Sequence, residues 1–222
     1  MRATWGLLAA NIAMFGLEML WGGSQSPHTL MALGAIVSDP GPFEEPWRML
    51  SSAFLHIGPL HLVANMWALF VFGSTLERLL GSLRLLVLYF VSALGGGLTS
   101  TIVHFGEPDR YAAGASGAVW GLMVAELALL VRLRRRLGPE AVPLDFRVLQ
   151  PLIVNLAISF APLIDMAAHL GGGAAGGLFL LVLPLRHVNG SVVWRVAAFL
   201  SVTLMAASLA LALLRGRPWM LG

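Results

Sequence analysis

The residues with chemical potential fall in three short segments: His56, His61 and Asn65; Gly114-Ala115-Ser116-Gly117; and Asp165 with His169. A serine hydroxyl is a weak nucleophile until a neighbouring base takes its proton, and a neutral imidazole is the usual base. Ser116 and His169, 53 residues apart in sequence, supply that pair of types. Attack on a carbonyl also needs donors for the oxyanion. Three are available: the Ser116 amide, the Asn65 side-chain amide and an imidazole nitrogen of His61. His61 and Asn65 are four apart and therefore share a helical face. Each residue alone has an ordinary reading: Ser116 as an N-cap, His169 as a satisfied core histidine, His61 with Asn65 as interhelical hydrogen-bonding glue. What favours chemistry is their occurrence at a single level of the protein.

That level follows from the elements that carry them. Of 222 residues, 58% are hydrophobic and 11% charged, and the mean hydropathy is +0.82, which excludes an ordinary soluble domain. Seven apolar stretches can be marked, near Thr4–Trp21, Leu60–Leu76, Leu83–Val103, Ala112–Val131, Leu149–Leu163, Ala167–Leu185 and Val192–Leu214. Several reach the roughly 20 residues that a bilayer demands; the fifth, interrupted by Pro162, is short. None alternates like a barrel strand, so the sequence predicts an all-α membrane protein, a polytopic helical bundle. Arg2 precedes an apolar run as in a signal peptide, but no clear small-x-small cleavage pattern follows, and the first stretch is expected to remain a helix. With no cysteine, disulfides and thiolate metal sites are excluded.

All 14 basic residues are arginine. A cytoplasmic N-terminus and seven spans place ten of them inside, including the Arg132–Arg136 cluster, and four outside (Arg48, Arg110, Arg215 and Arg217). The isoelectric point near 10.5 therefore reads as membrane orientation, with no nucleic-acid partner. In this orientation spans two, four and six all begin on the extracytoplasmic side, which brings His61, Asn65, Ser116 and His169 to similar depth. Gly117 with Gly121, and Gly172 with Gly176, follow the small-xxx-small pattern that lets helices approach closely. A Ser116–His169 hydrogen bond is the expected result. Asp165, one turn ahead of His169, fits a helix cap better than a third catalytic member, while Glu18 and Glu126 have no evident partner. Residues 22–58 form a loop with some internal structure, whose Trp47-Arg48 pair suits the lipid headgroup level. No repeat divides residues 1–222, so one domain is expected.

Taken together, residues from about 46 to 186 resemble the rhomboid family of intramembrane serine proteases. The resemblance rests on Trp47-Arg48, the string HIGPLHLVANM from His56 to Met66, Gly73 and Glu77, the GASG box, and AHLGGGAAG from Ala168 to Gly176, all in family order. It implies a Ser116–His169 dyad without an acid, with His61 and Asn65 around the oxyanion and Gly114, Gly117, Trp120, Gly172 and Gly176 supporting the site. It also implies a six-helix core, about residues 1–186, plus one C-terminal transmembrane helix at about 192–214. Transmembrane protein substrates and the lipid bilayer are then the partners, with no cofactor and no metal. One departure is Trp120, where the family usually has tyrosine: the indole can stack on His169 but offers no hydroxyl. The short fifth helix is the candidate movable wall for lateral substrate entry. A compact, arginine-only chain points to a prokaryotic inner membrane. The alternatives are a non-proteolytic relative that binds transmembrane segments, and a transporter or metal site built from His56, His61 and His169.

Overall fold

The computed structural model describes residues 1–38, 44–107, 110–142, 146–159, 164–182 and 192–215. Pro162, the ends of the fifth and sixth stretches at Leu163 and Leu185, Arg186 and Arg217 lie outside the described residues. Five helices are long and apolar enough to cross a membrane: α1 (Arg2–Leu20), α4 (Pro59–Leu80), α5 (Ser82–Val103), α6 (Ser116–Leu137) and α9 (Val192–Arg215). Two shorter helices, α7 (Phe146–Ile158) and α8 (Met166–Val182), occupy the fifth and sixth stretches. The chain is a polytopic helical membrane protein. Gly81 shows how tightly the spans are joined: at φ +88 it ends α4, its amide bonding to the Glu77 carbonyl at 2.9 Å, and α5 starts at the next residue. A residue with a Cβ is strained in that conformation.

Helix α8 sits against α5 and α6 through backbone contacts that only glycine permits. A Cβ added at Gly172 would collide with the Gly117 carbonyl, and one at Gly176 with the Gly121 carbonyl. On the α5 side, a Cβ at Gly96 would lie 2.9 Å from the Ala168 carbonyl oxygen and 3.2 Å from Gly117 Cα. In lipid, where apolar burial gives helices little reason to associate, such close van der Waals packing is a main source of adhesion.

The connection between α1 and α4 is more ordered than the sequence foretold. It contains α2 (Pro27–Ala32), the two-residue strand β1 (Ile36–Val37) and α3 (Arg48–Ser51), which runs into a single 3-10 turn at Ser52–Phe54. Strand β1 pairs antiparallel with β2 (Tyr111–Ala112), matching Ile36 to Ala112 and Val37 to Tyr111. The headgroup placement of Trp47-Arg48 is corrected: both residues are buried, at 7% and 5% exposure. The Arg48 guanidinium donates to the Met31 and Ala35 carbonyls at 2.6 and 2.9 Å and to Glu45 at 2.6 Å, and it lies over the Trp47 ring. A planar fork of donors satisfies the carbonyls that a compact loop leaves free, so the pair holds the loop together.

At the opposite end of α4, Glu77 accepts from the amides of Ala3 and Thr4 at 3.0 and 2.9 Å, and from the Ser82 hydroxyl at 2.5 Å. The carboxylate thereby caps the first turn of α1, where free amides and the helix dipole favour an anion.

If glycine-mediated contact sets the α6–α8 spacing, Gly172→Val should destabilise the protein by about 1–3 kcal/mol or more through overpacking. Thermal unfolding in detergent measures this, with Ala64→Val on the exposed face of α4 expected to leave the transition unchanged.

Candidate active site

The segment entering α6 is fixed before the helix begins. The Gly114 amide donates to the Ser52 carbonyl at 2.9 Å, and the β1–β2 pairing holds the residues just upstream. Gly114 has φ +146, and a Cβ there would lie 2.7 Å from His61 Cε1 and 3.0 Å from His61 Nε2. Glycine at this point thus allows both the turn and the approach of the imidazole. Ser116 is the first residue of α6. The cap position is Ala115, and no side chain caps the helix. The N-cap reading of Ser116 therefore does not hold, and among the described residues its hydroxyl makes no hydrogen bond. The first intrahelical bond after it runs from the Val119 amide to the Ala115 carbonyl, so the amides at the start of α6 are free to donate.

His61 faces this helix start from the first turn of α4. The Ile57 amide donates to His61 Nδ1 at 3.2 Å, which requires a lone pair on that nitrogen. A neutral His61 then carries its proton on Nε2, the side facing Gly114. Asn65 donates one amide hydrogen back to the His61 carbonyl at 2.9 Å and keeps the other. His56, in the connection before α4, lies with its ring 5.3 Å from that of His61. Burial, with the neighbouring His61 adding to it, pushes His56 down to about 3, so it is uncharged near neutrality. Its amide donates to Glu18 Oε1 at 2.9 Å, the partner that the sequence did not reveal for this buried acid of α1. Among the described residues no three His, Cys, Asp or Glu side chains converge as a metal-binding group.

His169 is buried on α8, and its ring stacks on Trp120 of α6 with centroids 5.3 Å apart and planes inclined by 20°. Trp120 is one turn beyond Ser116 on the same helix face. Next to both residues the helices touch: a Cβ at Gly117 would lie 3.1 Å from the Ala168 carbonyl oxygen. The expected Ser116–His169 hydrogen bond is nevertheless not formed. His169 Nδ1 is bonded instead to the Ser159 hydroxyl, beyond the end of α7, at 2.9 Å, while its buried Nε2 has no partner among the described residues. Hydrogen bonds of this kind are often long or misaligned without substrate and tighten when it binds. Beside Ser116 a cleft of about 30 Å³, lined in part by Ser52, Ser100, Gly114, Gly117 and Asp165, has room for about one water.

Asp165 points elsewhere. Its Oδ1 accepts from the Ala168 amide at 3.0 Å, and its Oδ2 accepts from the Ser100 hydroxyl at 2.5 Å. His104 Nε2 approaches Oδ1 at 3.3 Å, joining the cap to Glu107 and Arg110. The carboxylate caps α8 and ties it to α5. Ser159 and this network were not singled out from sequence. For Ser159 the available signal was a polar residue inside an apolar stretch.

The rhomboid domain profile matches residues 44–186. The chain belongs to the rhomboid family. It is 38% identical over 164 residues to RHOMBOID-like protein 5 of Arabidopsis thaliana, covering 74% of this chain and 52% of that protein. With Rhomboid protease GluP of Bacillus subtilis it shares 36% identity over 177 residues, 79% of this chain and 33% of the relative. With Rhomboid-like protease 3 of Toxoplasma gondii it shares 33% over 176 residues, 77% and 65% respectively. The chain thus spans between a third and two thirds of the length of these rhomboid relatives. The matched domain runs from just before α3 through α8, so it includes Arg48, His61, Asn65, Ser116, Ser159 and His169.

The cap geometry makes a specific forecast. Asp165→Ala should cost about 1 kcal/mol of stability by removing the acceptor for the Ala168 amide, whereas Asp165→Asn keeps an acceptor and should lose less. Thermal unfolding of the two variants checks the order.

Proposed function

We propose that this rhomboid is an intramembrane serine protease that hydrolyses peptide bonds in or near transmembrane segments of other membrane proteins. The observation that carries the reading is a pair of unsatisfied groups on facing helices. Among the described residues the Ser116 hydroxyl, at the start of α6, makes no hydrogen bond, and the buried His169 Nε2, on α8, has no partner. A histidine buried inside a bilayer is expected to be hydrogen-bonded, so a bare imidazole nitrogen on the helix packed against that of Ser116 is costly unless a substrate completes the arrangement.

In the proposed reaction Ser116 Oγ attacks the scissile carbonyl carbon as His169 Nε2 takes the hydroxyl proton. The oxyanion is met by the Ser116 amide, by His61 Nε2–H and by the remaining Asn65 amide hydrogen. His169 then protonates the departing amine, leaving an acyl ester on Ser116. A water activated by the same nitrogen hydrolyses the ester and restores the serine. No charged acid takes part in this reading. Residues 1–222 act as one domain in this reading, with the core of about 1–186 carrying the site and the C-terminal helix at its flank.

The arginine distribution supports a cytoplasmic N-terminus and a site toward the extracytoplasmic side. The prokaryotic inner membrane read from composition draws no support from relatives found in Arabidopsis thaliana, Bacillus subtilis and Toxoplasma gondii. Substrate would enter sideways past α7, which has Pro151 inside it and is the shortest of the seven apolar helices.

Cleavage of a model single-span protein in proteoliposomes tests the proposal. Ser116→Ala should lower the rate by roughly four orders of magnitude or more, and His169→Ala by a comparable factor. Fluorophosphonate labelling should be lost in both variants. Wild-type protein that binds the model substrate but neither cleaves it nor takes the label would instead be a non-proteolytic binder of transmembrane segments.

A further inference from the structure

The geometry points to Ser159 as a positioning residue that fixes the tautomer of His169, in the place where other serine hydrolases use a carboxylate. The inference rests on the protease reading above and concerns how its base is held. Ser159 follows the last residue of α7 and is 2% exposed. Its amide bonds to the Asn155 and Leu156 carbonyls at 3.1 and 3.2 Å, and its hydroxyl donates to the Asn155 carbonyl at 2.8 Å. A carbonyl can only accept, and a serine hydroxyl has one hydrogen. With that hydrogen given to Asn155, Ser159 Oγ can meet His169 only as an acceptor. The nitrogen 2.9 Å away, Nδ1, must therefore be the one that carries the imidazole proton.

The consequence falls on the other nitrogen. Neutral His169 with Nδ1–H has its lone pair on Nε2, the atom that lacks any partner and lies on the ring stacked against the helix of Ser116. The opposite tautomer would place a hydrogen on Nε2 and could not take a proton from serine. When Nε2 is protonated during the reaction, the Nδ1–H bond to Ser159 strengthens, because a charged donor forms the stronger bond. Asp165 does not occupy this place: its carboxylate bonds Ala168, Ser100 and His104, while His169 Nδ1 is bonded to Ser159.

Ser159 also has a purely local explanation, since a serine at the end of a helix often bonds back to the carbonyl four residues earlier. That accounts for the contact with Asn155 and leaves the contact with the imidazole unexplained. The two accounts differ in what they predict for His169.

Nitrogen-15 NMR of histidine-labelled protein in lipid, with the His169 signal assigned by its loss in His169→Gln, reads the tautomer without any need for activity. The wild-type spectrum should show Nδ1 protonated and Nε2 bare. Ser159→Ala should yield a mixture of tautomers, lower kcat roughly 10- to 100-fold and leave KM within about twofold, while Ser159→Thr, which keeps the hydroxyl, restores both spectrum and rate. A wild-type His169 protonated on Nε2, or an unchanged tautomer and kcat in a folded Ser159→Ala, overturns the inference. Because the tautomer is measured apart from cleavage, its failure is distinct from failure of the protease reading, which Ser116→Ala decides.

Discussion

The arrangement depends on how closely α8 can approach α5 and α6. At Gly96, Gly117, Gly172 and Gly176 the neighbours are backbone atoms, and a methyl group at these points would meet a carbonyl or a Cα at or inside van der Waals distance; at Gly121 it would meet the Ser92 side chain as well as the Gly172 carbonyl. The lever is short. Serine and histidine reach only a few ångströms from their backbones, so two helices spaced by leucine-sized side chains could not bring an Oγ and an imidazole within working range. Spacing set by glycine makes short side chains sufficient. The same spacing leaves α8 little freedom to slide, because its carbonyls and α-carbons fit against those of two neighbours at once.

The second requirement is that most polar groups inside an apolar bundle find partners. Much of the structure serves this end. Arg48 saturates the carbonyls of the first connection, Glu77 closes the start of α1, and Asp165 closes the start of α8. Against that background His169 Nε2 is one of eight buried side-chain atoms that lack a partner among the described residues, and it is the one carried by a ring stacked on the helix of Ser116. The others are Asn11 Oδ1, Glu18 Oε2, Trp47 Nε1, both ring nitrogens of His56, Ser92 Oγ and Glu126 Oε2.

Much of this was legible in the sequence because its determinants are periodic or positional. Long apolar runs predict membrane helices, and the repeated glycines forecast which helix faces meet. What stayed hidden depends on contacts between distant segments. Trp47-Arg48 looks like an interfacial anchor in one dimension, and only the fold of the loop around it turns the guanidinium inward. The β1–β2 pair is two residues long on each side, too short for any alternation to register. The Ser116–His169 bond followed reasonably from shared depth, yet depth fixes no rotamer, and the imidazole has a competing partner in Ser159 on α7. The Asp165 carboxylate, by contrast, acts within its own helix turn, where sequence spacing is a sufficient guide.

The choice between Asp165 and Ser159 as the partner of His169 has a physical logic of its own. A carboxylate hydrogen-bonded to an imidazole in a low-dielectric interior carries a desolvation penalty of several kcal/mol, which their attraction offsets only when the remaining oxygen positions are well satisfied. A hydroxyl offers an acceptor with no net charge to desolvate, provided its own hydrogen has somewhere to go. The Asn155 carbonyl in the last turn of α7 supplies that place: it takes the Ser159 amide on one lone pair and has a second for the hydroxyl. The directionality that the base needs is therefore obtained from a helix terminus and one neutral side chain, while the acid of the same region remains at the start of α8, where the dipole and the polar connections make its charge inexpensive.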